Sequence, residues 1–103
     1  MKLIRDKIPA IAAAKGGHMP CHTANPGEFR YHLSKKLEEE VKKFLDSGEP
    51  EELADILEVI GAIAKERGLS MQNIYRLRDK KRKKRGGFDE RIIWDPDTSS
   101  RGE

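Results

Sequence analysis

Three acids sit where a helix should carry none. In "EELADILEVIG", residues 51–61, a helical turn of about 100° per residue groups Leu53, Leu57, Ile60, Ala64, Ile56, Ile63 and Val59 on one apolar arc. Glu52 falls inside that arc, between Val59 and Ile63, and Asp55 lies at its edge beside Val59. In "FRYHLSKKLEEEVKKFL" the same projection clusters Phe29, Leu33, Leu37, Val41 and Phe44, and Glu40 falls between Phe29 and Leu33. An uncompensated buried carboxylate costs several kcal/mol or takes up a proton, and several together also repel. A hard divalent cation resolves both difficulties, because Mg²⁺ seeks carboxylate oxygen at about 2.0–2.1 Å. Acids at i and i+3, as Glu52 and Asp55 are, lie close enough on a helix to share one ion. The competing reading is that Glu40 pairs with a Lys or Arg of the first helix or of the basic arm.

The elements that must position these acids can be read from the punctuation of the chain. A first helix is expected over about 7–14, with Asp6 as N-cap, Pro9 in its first turn and Gly16-Gly17 ending it. Residues 16–27, "GGHMPCHTANPG", read as a loop. A second helix is expected over about 28–45 and closes at "DSGEP"; a third begins at Pro50 and ends at Gly68. Ser70 then caps a fourth that runs to Gly86-Gly87. The tail "FDERIIWD" reads as a short strand or an extended segment packing back, with Gly86-Gly87 turning Phe88 towards the helices. Four helices with short connections predict an all-α, four-helix-type bundle with a short extended C-terminal tail. One domain is expected over 1–95, and a flexible tail over 96–103. The second and third helices, joined by a short turn, are expected to run antiparallel with their acids at the shared interface.

Composition narrows the class. Of 103 residues, 38% are charged, 36% hydrophobic and 6% aromatic, a balance that suits helices with narrow apolar stripes. Cys21 is alone, which rules out an internal disulfide and fits a reducing compartment. No apolar run approaches a membrane span, and Arg5, Asp6, Lys7 and Pro9 interrupt the opening too soon for a signal peptide. A cytoplasmic protein without membrane attachment is expected. The segment "RLRDKKRKKR", 76–85, holds eight basic residues and one acid, more positive charge than the whole-chain +3, so the remainder is net acidic. An acidic body with a basic arm suits a polyphosphate held between them, or a polyanion such as nucleic acid bound by the arm alone. The third helix's apolar arc is about 160° wide, more than one neighbouring helix covers, and predicts a homodimer or larger homo-oligomer. The H-x-x-C-H of His18, Cys21 and His22 offers three zinc donors and no second cluster, and Cys21 reads as an unpaired thiol. Tyr75 and Trp94 are expected to pack against the helices rather than to stack on a base.

"KLEEEVKKF" followed by "EELADILEVI" resembles the paired E-E-x-x-E and E-x-x-D motifs of the MazG-like nucleotide pyrophosphohydrolases, which include phosphoribosyl-ATP pyrophosphohydrolase. The opening "KLIRDKIP" and the closing "KRKKRGGFDERIIW" are similar to a small single-domain branch, so the resemblance spans residues 2–94. It implies a helical bundle, usually dimeric or higher, that uses Mg²⁺ (or Mn²⁺) to cleave the α–β phosphoanhydride of a nucleoside triphosphate to a monophosphate and pyrophosphate. Carried over by position, Glu40, Glu52 and Asp55 are metal ligands, and Glu39 is a further ligand or orients the attacking water. Arg5, Lys7, Lys81, Arg82 and Arg85 are candidates to hold phosphate oxygens. The chain departs from the motif at Lys43, where the family has its last acid. Three consequences stand open: a weakened site with fewer ions, a direct Lys43–phosphate contact, or loss of catalysis. A basic-arm nucleic-acid-binding protein and a non-catalytic relative of the enzymes are the rival readings.

Overall fold

The computed structural model describes residues 1–96. Four helices follow one another, α1 (Ile8–Ala14), α2 (Pro26–Ser47), α3 (Pro50–Glu66) and α4 (Met71–Arg85), and no strand occurs among the described residues. The fold is all-α. The chain, expected to form one helical domain over 1–95, divides into two units, Met1–Met71 and Gln72 onward. Of the tail expected over 96–103, residues 97–103 lie outside the described residues.

In the first unit the packed helices are α2 and α3. Their two-residue link is made possible by Gly48, whose φ of 68° is left-handed and cheap for glycine alone. Its N–H donates to the Phe44 carbonyl at 2.8 Å, and Pro50 opens α3 directly afterwards. The pair is antiparallel: Arg30, near the start of α2, meets Glu66, at the end of α3, at 2.7 Å, while Glu40 lies near Glu52 and Asp55. Leu33, Val59 and Ala64 form the small core between them.

Helix α2 starts two residues earlier than its sequence periodicity suggests, because Asn25 and Glu28 close a capping box. The Asn25 side chain accepts from the Glu28 N–H at 2.9 Å, and Glu28 Oε1 accepts from the Asn25 N–H at 3.2 Å. Both orphan donors are thereby satisfied, and Pro26 presets the first turn. Helix α1 departs from expectation at its start. Its N-cap is Lys7, without a side-chain cap, because the Ile8 N–H already donates to the Arg5 carbonyl at 3.1 Å and that turn takes up Asp6.

Ahead of α1 the N-terminal segment lies over the helical pair, with Leu3 and Ile4 half-buried. Two ion pairs pin it: Lys2 to Glu39 of α2 at 3.3 Å and Arg5 to Asp55 of α3 at 2.6 Å. Leu53 and Leu57 are each 51% exposed and Leu45 75%.

The second unit is α4 and the segment after it. All eight basic residues of 76–85 are exposed on α4. The tail is neither a strand nor packed back: Phe88, Ile92, Ile93 and Trp94 are 78–96% exposed. Gly86 takes a left-handed φ of 85° that stops the helix, yet the turn does not bury Phe88. Trp94 thus departs from its expected packing, whereas Tyr75 is half-buried and lies beneath the Arg78 guanidinium at 5.0 Å. Among the described residues, no helix is long and apolar enough to cross a membrane.

Candidate metal centre

Antiparallel packing sets the middle of α2 against the first two turns of α3, and this brings Glu40, Glu52 and Asp55 together. One carboxylate oxygen from each lies within 4.8 Å of the others. In an octahedral shell with about 2.05 Å bonds, neighbouring oxygens are about 2.9 Å apart and opposite ones about 4.1 Å. To hold one such ion, the three oxygens would have to come within those separations.

Glu40 is the centre of the arrangement. It is 3% exposed, the one charged residue in the buried core among the described residues. Its two oxygens have unequal surroundings. Oε1 receives Lys36 Nζ at 3.4 Å and Lys43 Nζ at 3.5 Å. Oε2 is buried without a hydrogen-bond partner and belongs to the carboxylate that faces Glu52 and Asp55. Neither expected partner of Glu40 is used, since both lysines come from α2 itself, one turn before and one turn after. Burial of its carboxyl, then the charges of Glu40 and Asp55, push the Glu52 pKa up. The charge of Lys43 opposes them more weakly. Asp55 is tied to Arg5 through one oxygen.

Glu39 lies at the opposite edge. Lys43 reaches its Oε1 at 3.2 Å, Lys2 the same oxygen at 3.3 Å and Lys36 its Oε2 at 3.5 Å. Burial raises the Glu39 pKa, but the hydrogen bonds from Lys43 and Lys2 and the charge of Lys36 outweigh it and hold the carboxyl below its usual range. The bond to Glu39, then the charge of Glu40, push the Lys43 pKa up. A cleft of about 420 Å³ opens beside Glu39, lined by Lys2, Tyr31, His32, Lys35 and Lys36.

Of the phosphate contacts expected from sequence, Arg5 and Lys43 stand at the cluster. Lys7 is the exposed N-cap of α1, and Lys81, Arg82 and Arg85 are exposed in the last turns of α4. Lys2, Lys35 and Lys36 were not legible as site residues. Lys36 had one available signal, its place four residues before Glu40 on the same helix face; Lys2 had none. In the H-x-x-C-H loop, the side chains of His22 and Cys21 have protein partners. His22 Nε2 contacts Glu28 Oε2 at 2.8 Å, and the Cys21 thiol donates to the Met19 carbonyl at 3.0 Å.

Compared with known protein families, with curated proteins and with solved structures, the chain matches none.

Proposed function

We propose that this chain is a divalent-cation-dependent nucleotide pyrophosphohydrolase of the MazG-like kind, cleaving the α–β phosphoanhydride of a nucleoside triphosphate or related nucleotide. The observation that carries the reading is Glu40, whose buried Oε2 lacks a hydrogen-bond partner and whose carboxylate groups with those of Glu52 and Asp55. Such an oxygen is costly unless a cation completes it, and an all-oxygen donor set suits Mg²⁺ or Mn²⁺ rather than zinc. Glu40, Glu52 and Asp55 would hold the ion, which when bound supplies Lewis-acid polarisation and charge neutralisation at the scissile phosphates.

The chain's own groups supply the rest. Hydrolysis joins a water oxygen to one phosphorus of the α–β bridge, while the bridging oxygen leaves with the other phosphate. Glu39, kept ionised by its lysines, orients that water by accepting a hydrogen bond. Lys2, Lys36 and Arg5 offer cations to the phosphate oxygens, and the cleft beside Glu39 has the size of a small-molecule site.

The same reading includes a homodimer or larger homo-oligomer. Leu45 of α2 and Leu53 and Leu57 of α3 stand exposed, and a second copy would cover them. The exposed cations of α4 favour a second reading, polyanion binding, whose affinity would fall steeply as salt rises.

The test is pyrophosphate release over a panel of nucleoside triphosphates and phosphoribosyl-ATP, with Mg²⁺, with Mn²⁺ and with chelator. Release that requires the ion and disappears in Asp55→Ala is the expected result. Silence across the panel from folded protein would leave a non-catalytic relative.

A further inference from the structure

The two edges of the Glu39–Glu40 pair are unlike. On one side lie Glu52 and Asp55, grouped with one carboxylate oxygen of Glu40; there Arg5 pairs with Asp55, and the charge of Lys43 also reaches Glu52. On the other lie both oxygens of Glu39 and Oε1 of Glu40, and these carry ammonium groups at 3.2–3.5 Å from Lys2, Lys36 and Lys43. Lys36 and Lys43 each bridge the two glutamates, one from the preceding turn and one from the following turn of α2. Lys36 is well enclosed, with its side chain 18% exposed.

Resting on the metal-binding reading above, we infer that the centre holds a single divalent ion per chain, because Lys36 and Lys43 fill the Glu39–Glu40 edge where a second ion would sit. A second ion would need carboxylate oxygens at about 2.0–2.1 Å, at the oxygens those ammoniums already contact. It would have to displace two monovalent cations and then remain beside them. The lysines therefore take the place of an ion: they neutralise the outer edge permanently, and the exchangeable ion would be confined to the Glu40–Glu52–Asp55 group. Their ammoniums also leave protons available for hydrogen bonds to a phosphate oxygen, which an ion at that edge would contact only by coordination.

The experiment counts Mn²⁺ bound per chain from the loss of the free-ion electron paramagnetic resonance signal, with Mn²⁺ raised to millimolar and no nucleotide present. Wild type should saturate at one ion. The double variant Lys36→Met/Lys43→Met, which keeps side-chain length and removes both charges, should saturate at two, a doubling. Lys36→Arg/Lys43→Arg, which keeps the charges, should stay at one. Two ions on wild type would overturn the inference while leaving the metal reading intact. A double methionine variant that stays at one, with its helical circular dichroism unchanged, would also overturn it, since the lysines would not be what limits the count. If that variant fails to fold, the wild-type count still decides. No ion on folded wild type would overturn the metal reading and this inference with it.

Discussion

At the scale of single residues, the chemistry of the protein turns on one oxygen. Glu40 Oε2 is buried and unpartnered, whereas Oε1 of the same carboxylate is held by two lysines. Ligand binding to the folded state stabilises by about 2.7 kcal/mol at a hundredfold excess over Kd. Mg²⁺ at that excess should therefore raise the thermal midpoint of the wild-type protein, and Glu40→Gln should abolish the rise. Calorimetry with and without the ion measures both, and an equal rise in the two proteins would remove Glu40 from the ligand set. Asp55→Ala should reduce ion affinity by more than about a hundredfold, because loss of a group that merely orients a ligand already costs 10–100-fold. Isothermal titration with Mn²⁺ reads this directly. The Glu40–Glu52–Asp55 group follows from faces legible in the sequence, since each acid lies on or beside an apolar stripe. The cation arrangement was not legible, because Lys2 reaches Glu39 only after the N-terminal segment folds across α2.

At the scale of elements, the α2–α3 hairpin is the frame of the site, and its ends decide its geometry. Asn25→Ala should cost about 1 kcal/mol by opening the capping box, measurable by urea denaturation. The box is also pH-sensitive. The hydrogen bond from His22, then that from the Asn25 backbone, lower the Glu28 pKa. A lowered carboxylate contributes stability that is fully present above the ordinary glutamate value of about 4.3 and is lost as pH falls through the lowered value. Wild-type stability should therefore fall with acid more steeply than that of Glu28→Gln, a difference that urea melts from pH 6 to pH 3 would show. Leu33 is 3% exposed in a core whose other buried apolar members, among the described residues, are Val59 and Ala64. Leu33→Ala should cost about 2–5 kcal/mol, a large share of the stability of so small a packed pair.

At the scale of the whole molecule, the hairpin keeps apolar side chains in solvent. The N-terminal segment pairs with Glu39 and Asp55, while Leu45, Leu53 and Leu57 remain exposed. Exposed apolar groups are what an interface between copies requires. Leu57→Glu should shift light-scattering mass at micromolar concentration towards the monomer while circular dichroism keeps its helical signal. A wild-type protein already monomeric under those conditions would refute the assembly.

The sequence determined the helices, and it did so locally. Apolar spacing marks their faces, Pro26 and Pro50 preset their first turns, and Gly48 has the backbone freedom that closes a two-residue turn. It also placed three carboxylates on faces that water should leave, because helical phase depends only on residue spacing. Tertiary structure decided what meets those carboxylates. Ionic contacts between residues 37 and 50 positions apart, Lys2 with Glu39 and Arg5 with Asp55, depend on where the chain crosses itself, and no local pattern encodes that crossing. The exposed tail shows the same division. Phe88, Ile92, Ile93 and Trp94 read as residues that pack, yet all four face solvent: hydrophobic character states that a side chain gains by burial, but the chain must also supply the surface that buries it.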